Sequence, residues 1–219
     1  MGQTVPMSDD LAAGLARGAD GVVRCWWPEV DAEYQRYHDR EWGRPVVDDN
    51  RLFEKICLEG FQAGLSWLTI LRKRDNFRAA FADFDIETVA GYDDTDVERL
   101  LTDAGIVRHR GKIEATVNNA RRAVELAEAA GSLAAFVWGY EPDPGDRPVT
   151  LTHDVLMELT QTDASRQLSR DLKSRGWQFV GPTTMYAFLQ SMGVVNDHIE
   201  GCSVRAEAAA ERRALDRPT

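Results

Sequence analysis

The sequence predicts a mainly helical, all-α fold. Three observations carry this. Apolar residues recur at helical spacing through most of the chain, strand-like alternation is nearly absent, and glycine and proline cluster between the periodic stretches. Residues 1–21 are small, polar and acidic and are expected to form a poorly ordered arm. From Val22 to Trp42 aromatic residues crowd together, with Trp26, Trp27, Tyr34, Tyr37 and Trp42 close in sequence. Asp48, Asp49 and Asn50 then offer N-cap oxygens to a helix carrying Leu52, Phe53, Ile56 and Ala63 on one stripe. Phe77, Ala80, Phe81 and Phe84 continue a helical period. Thr95 is expected to cap a short helix bearing Val97, Leu100, Leu101 and Ala104, closed by Gly105. After Gly111, the spacing of Ile113, Val117, Ala120 and Val124 predicts a long helix. The stretch 141–148 is too rich in breakers for helix or central strand. Asp163 is expected to cap a helix with Leu168 and Leu172 that ends at Gly176, and a final helix holds Met185, Phe188, Leu189 and Met192. The residues after Cys202 have little to bury, which predicts a frayed helix or a disordered tail. The organisation expected is an arm over 1–21, one helical domain of two lobes around a cleft over 22–203, and a tail over 204–219.

At 219 residues the chain can bury a full core, and 43 % apolar with 28 % charged residues is an ordinary globular balance. No apolar run approaches the roughly 20 residues that span a bilayer, so no membrane association is expected. The first residues lack the basic and apolar regions of a secretory signal, and a cytoplasmic home is the default. Cys25, Cys57 and Cys202 are too few and odd in number for a disulfide framework, which leaves metal binding or burial. The net charge of −10 counts against nucleic-acid binding, though net charge does not dictate local patches.

Three groups of residues carry chemistry. The first is the segment Arg175 to Thr183, a short turn with two glycines between two amphipathic helices. Gly181 followed by Pro182 fits a helix N-terminus, whose free amides can hold one phosphate without any lysine. An ordinary αα-hairpin has the same spacing, so both readings stand. A second turn, Gly105 to Lys112, gathers Arg108, Arg110 and Lys112 and is either a phosphate contact or a solvated turn. The next group is Cys25, His38, His198 and Cys202. His198 and Cys202 are four apart and would share a helix face, and two Cys with two His make a closed tetrahedral set suited to a structural zinc. Packed residues without a metal remain the alternative. The last is Glu59, which interrupts the apolar stripe of its helix. A carboxylate there needs a partner, such as a nearby Arg, or a task. With Trp67, Trp42, Tyr34 and Tyr37 it resembles what a flipped, positively charged purine requires: π-faces, and an acceptor for its edge. P-loop, dinucleotide-binding and serine-hydrolase elbow patterns are missing, and His109 and His153 read as surface residues.

Four blocks, RCWWPEVDAEYQRYHDREWG (24–43), LFEKICLEGFQAGLSWLTILRKR (52–74), LLTDAGIVRHRGKIEATVNNA (100–120) and RGWQFVGPTTMYAFLQSMGVVNDHIEGC (175–202), resemble the DNA-3-methyladenine glycosylase I family of the helix-hairpin-helix superfamily. The resemblance spans almost everything from Arg24 to Cys202. It implies a helix-hairpin-helix glycosylase fold whose terminal segments are joined by one structural Zn2+ on Cys25, His38, His198 and Cys202. It implies a pocket with Glu59 as the catalytic carboxylate and Tyr37, Trp67, Trp42 and Tyr34 binding the base. The hairpin Gly176, Val180, Gly181 and Thr183 would grip the DNA phosphate. The expected activity is monofunctional excision of 3-methyladenine from double-stranded alkylated DNA by a monomer, without lyase chemistry, since no lysine sits where bifunctional relatives place theirs. Most relatives in the superfamily carry a catalytic aspartate shortly after the hairpin. Asn196 aligns with it here, which leaves the neighbouring Asp197 a doubtful catalyst.

Overall fold

The computed structural model describes residues 11–28 and 31–219. A two-stranded antiparallel ribbon opens it: β1 (Leu15–Arg17) pairs with β2 (Val23–Cys25), Leu15 opposite Cys25 and Arg17 opposite Val23. Over residues 11–21 the ribbon stands where a poorly ordered arm was expected; residues 1–10 of that arm lie outside the described residues. Strands of three residues are too short to show alternation in sequence. Gly21 turns the ribbon at φ 78°, a region open to a residue without Cβ. The buried Arg24 guanidinium, 2.7 Å from both Asp20 and Asp39, ties the ribbon to the first helix.

That helix, α1 (Ala32–Arg40), is capped by Asp31, which accepts the Glu33 and Tyr34 amides. In α2 (Asp49–Gln62) every residue from Leu52 to Phe61 is buried, so it runs through the centre of the molecule. Asp48 caps it. The next two polar residues serve other elements, because side chains in a first turn can reach neighbouring helix starts. Asp49 accepts the Leu133 and Ala134 amides, and Asn50 that of Ile86. Ser66 caps α3 (Trp67–Arg72), and α4 (Arg74–Ala80) follows. Ala82, Asp83 and Phe84 then take positive φ, so the period expected from Phe77 to Phe84 is broken although Phe77, Phe81 and Phe84 all reach the core.

After α5 (Ile86–Ala90), α6 (Asp94–Thr102) is capped by Asp93 in a capping box with Asp96, where Thr95 was expected. The long α7 (Arg110–Ala130), α8 (Leu133–Trp138) and α9 (His153–Glu158) lead to α10 (Asp163–Ser174), begun by Thr162 with Ser165 rather than by Asp163. Then come α11 (Pro182–Ser191) and α12 (Arg205–Ala214). The expected loose tail is therefore a docked helix. Arg44 pairs with Glu207 and Glu211, Arg212 and Arg217 both reach Glu141, and Ala208 is buried. Its polar sequence hid this because the attachment is ionic.

The main core joins α2, α7, α8, α10 and α11 around Phe53, Phe61, Phe81 and Phe188. Each such side chain stabilises the fold by roughly 1.5–3 kcal/mol through burial. A smaller cluster of Cys25, Leu151, Ile199, Cys202 and Val204 sits under the ribbon. Among the described residues no helix is long and apolar enough to cross a membrane.

Candidate functional site

The ribbon and the chain end meet at four donors. β2 supplies Cys25, α1 supplies His38, and the segment after α11 supplies His198 and Cys202. All four are buried, with their donor atoms within 4.8 Å of one another. Cys202 Sγ lies 3.5 Å from His198 Nδ1 and 3.6 Å from His38 Nε2, and Cys25 Sγ lies 3.9 Å from His198 Nδ1. Bonds of about 2.3 Å to sulfur and about 2.0 Å to nitrogen around a tetrahedral ion put the two kinds of donor roughly 3.6 Å apart. The spacing therefore fits a metal ion.

The outer contacts fix which ring nitrogens face inward. His38 Nδ1 donates to Asp39 Oδ1 at 2.8 Å, and His198 Nε2 donates to the Trp42 carbonyl at 3.0 Å. Each ring so held presents its other nitrogen as a lone pair to the cluster. The Cys202 thiol is held far below its usual range, first by the hydrogen bond from Cys25, while Cys25 is pushed up by the same contact. One thiolate is thus already favoured. His198 and Cys202 do not share a helix, as their spacing suggested. They lie in an irregular turn closed by the Cys202 amide on the Ile199 carbonyl.

Beside this cluster a cavity of about 130 Å³ is lined by Tyr34, Tyr37, Trp42, Glu59 and Trp67, the residues expected to meet there, and also by Trp27 and Gln190. Trp42 belongs to both sites. Its carbonyl holds His198, its ring lies 4.7 Å from the His198 ring, and its other contacts include Trp27 at 5.2 Å. Tyr37 packs against Trp67 with centroids 5.5 Å apart. Burial, reinforced by Glu59, raises the Tyr34 phenol to about 12 and Tyr37 well above its usual value, so both remain protonated donors at neutral pH.

Glu59 is buried, and its partner is Lys55 one turn earlier on α2, not an arginine. The buried Lys55 Nζ sits 2.9 Å from Glu59 Oε1, 2.8 Å from the Tyr37 hydroxyl and 3.1 Å from the centre of a Trp67 ring. Burial lowers its pKa to about 8 against the opposing pull of Glu59. Sequence reasoning missed this residue, although its i, i+4 spacing to Glu59 was a usable signal. The Trp67 indole Nε1 is buried without a hydrogen-bond partner.

Asp197 is fully buried and fully engaged. It accepts from Arg147, from Tyr186 Oη at 2.5 Å and from Gln190 Nε2 at 2.9 Å, and it does not line the cavity. It holds Gln190 at the cavity wall. Asn196 turns away and donates to the Arg205 carbonyl.

The hairpin joins α10 to α11. Gly176, at φ 85°, ends α10: its amide bonds the Lys173 carbonyl and the Trp177 amide bonds that of Leu172, a Schellman arrangement. Since its carbonyl also accepts from Asn118, Gly176 is spent on the turn itself and has no amide for a phosphate. Asn119 grips the tip through the Gln178 amide and carbonyl. Val180 is buried, and its carbonyl accepts from Ser169. Gly181 is the N-cap of α11 with no side-chain cap, and Thr183, two residues on, is exposed. In the turn before α7, Lys112 is buried and donates to the Phe61 and Ala63 carbonyls at the end of α2, while Arg110 pairs with Glu98. That reduces the expected basic patch to Arg108.

A family model described as methyladenine glycosylase matches residues 26–206. DNA-3-methyladenine glycosylase 1 of Escherichia coli (strain K12) is 49 % identical over 182 residues, covering 83 % of this chain and 96 % of the relative. The DNA-3-methyladenine glycosylase of Haemophilus influenzae is 43 % identical, covering 83 % and 97 %. A solved structure concerned with 3-methyladenine recognition by 3-methyladenine DNA glycosylase I from Staphylococcus aureus is 39 % identical. It superposes with a TM-score of 0.75 over 80 % of this chain and 93 % of that one.

Proposed function

The chain belongs to the methyladenine glycosylase family, and on that footing we infer that it excises 3-methyladenine from alkylated double-stranded DNA by hydrolysing the N-glycosidic bond. The observation that carries this reading is the pocket, where one buried carboxylate edge and a buried phenol meet among tryptophan faces.

N3-methylation leaves the purine cationic and its glycosidic bond already weakened, so the base needs no proton to leave. The nucleotide is flipped out of the duplex, which costs least for a damaged base. The base stacks on Trp67, with Trp42 and Tyr34 closing the aromatic box, while Glu59 accepts from its edge and Tyr37 donates to it. As the bond from C1′ to the base breaks, its electron pair neutralises the base. Water then adds to the oxocarbenium-like sugar and releases a proton to solvent. The reaction ends at hydrolysis. Lys55 is held by Glu59 and Tyr37 behind the cavity wall and is not presented to C1′.

The protein acts as a monomer and holds DNA through the start of α11, where the amides of Gly181 and Thr183 suit a phosphate and Val180 anchors the loop into the core. Amides provide this grip without basic side chains, which reconciles it with a net charge of −10. The four-donor cluster holds Zn2+, which would supply structure rather than catalysis, since two Cys and two His close a tetrahedral shell. It ties β2 and α1 to the chain end and thereby sets the Trp42 wall of the pocket.

The test is release of free 3-methyladenine from methylated duplex DNA by the wild type, Glu59→Gln and Trp67→Ala. The wild type is expected to release the base. Glu59→Gln should be roughly 100-fold slower, and Trp67→Ala slower by about 10-fold or more through lost stacking. A folded wild type that releases no base removes the reading, and a variant as fast as the wild type removes its residue from the site.

A further inference from the structure

Lys55 takes no part in breaking the glycosidic bond, yet it is a lysine with 5 % exposure in the middle of the central helix. It touches Glu59, Tyr37 and Trp67 without lining the cavity. Around it stand Glu59 on its own helix, Tyr37 on α1 with Glu41 just beyond, Arg74 on α4 and the Trp67 face on α3.

An ammonium has three donors and no acceptor. The Tyr37 oxygen, 2.8 Å from Nζ, can therefore only accept from Lys55, and its own proton must point elsewhere. Glu59 Oε1 is likewise occupied, which leaves the other carboxylate oxygen as the acceptor offered to a ligand. At Tyr37 and Glu59 the pocket consequently presents one donor and one acceptor in a fixed sense. Adenine's exposed edge carries an amino donor beside a ring-nitrogen acceptor, whereas guanine shows two acceptors there. We propose that Lys55 is a positioning residue that selects adenine over guanine among methylated bases by fixing the hydrogen-bond direction of Tyr37 and Glu59.

The proposal rests on the glycosylase reading and deepens it. It also carries a pH signature. Once Lys55 loses its proton, near pH 8, the neutral amine gains a lone pair to which the Tyr37 hydroxyl can turn. Discrimination should fall as pH rises through that value, while stacking, which both bases share, stays.

The experiment measures binding of free 3-methyladenine and free 3-methylguanine to the full chain by tryptophan fluorescence, from about pH 7 to about pH 9. It compares the wild type with Lys55→Met, which keeps length and removes the cation. The wild type is expected to prefer 3-methyladenine by roughly 100-fold at the lower pH and by about 10-fold or less at the higher. Lys55→Met should show the smaller preference throughout, with no pH dependence. A merely structural lysine would weaken both bases alike and leave their ratio intact. A variant with the wild-type ratio and slope overturns the proposal. If the variant does not fold, a wild-type preference that stays constant across the range overturns it instead. A wild type that binds neither base removes the glycosylase reading and the proposal with it, so the two failures are distinct.

Discussion

The polar groups around the pocket fall into two regions that differ in how much of their bonding capacity is taken. On one side stand the Cys25, His38, His198 and Cys202 cluster and Asp197. Both imidazoles there are oriented by an outer acceptor, and the carboxylate meets three donors. On the other stand Glu59, Tyr37 and Trp67, of which Glu59 is tied through one oxygen and the indole Nε1 has no partner. Both regions are buried, so burial does not separate them. What separates them is leftover valence, because a buried polar group with spare capacity is costly and is retained where a ligand completes it. Asp197, a doubtful catalyst in sequence, is a strut in the fold, while Glu59, the carboxylate singled out in sequence, keeps one oxygen without a partner among the described residues.

The contrast breaks most visibly at the four-donor cluster. Chelation, or Cys202→Ala, should cost roughly 5 kcal/mol or more of stability, read as a large fall in Tm together with loss of stoichiometric zinc. Unchanged Tm after metal removal would move the cluster out of the saturated class. Next in size is Asp197→Asn, which turns an NH2 group either on Arg147 or on the Tyr186 and Gln190 donors and strips Arg147 of its counter-charge. It should cost about 3 kcal/mol and lower Tm by roughly 6–12 °C, with base release per folded molecule close to wild type. Glu59→Gln should show the reverse pattern. It slows base release strongly yet costs at most about 1–2 kcal/mol, since Lys55, with a pKa already near 8, can shed its proton. Equal Tm losses in the two variants would erase the distinction. Smallest is Gly181→Ala, where an added Cβ would meet only Thr184 Oγ1 at 3.8 Å. Folding should gain about 0.4–1 kcal/mol from the stiffer unfolded chain. Affinity for undamaged duplex DNA should nevertheless fall, because the methyl group covers the amides offered to phosphate. A variant that gains stability without losing DNA affinity would locate the phosphate contact elsewhere.

Much of this was legible in the chain. The apolar periods around Leu52, Ile113, Leu168 and Phe188 produced real helices, because a long amphipathic repeat admits few alternatives. Glu59 stood out because a carboxylate in an apolar stripe violates that repeat. Errors came where a decision depended on partners distant in sequence. Asp49 and Asn50 left their own helix for Leu133 and Ile86, and Lys112 turned inward to the end of α2. The last helix is anchored by Arg44 and Glu141, more than sixty residues away.

By itself, then, the sequence determined that the protein is helical, where the hairpin turns, and which side chains are candidates for the cavity and the four-donor cluster, since periodicity, glycine placement and residue type are local properties. Only the tertiary structure decided which of those side chains are free to act. It spent Asp197 on Arg147, Tyr186 and Gln190, spent Gly176 on its own turn, and placed Lys55 under Glu59 and Tyr37. The reason is that a hydrogen bond uses up a specific donor and acceptor, and which pair meets is settled by packing between segments that know nothing of each other along the chain.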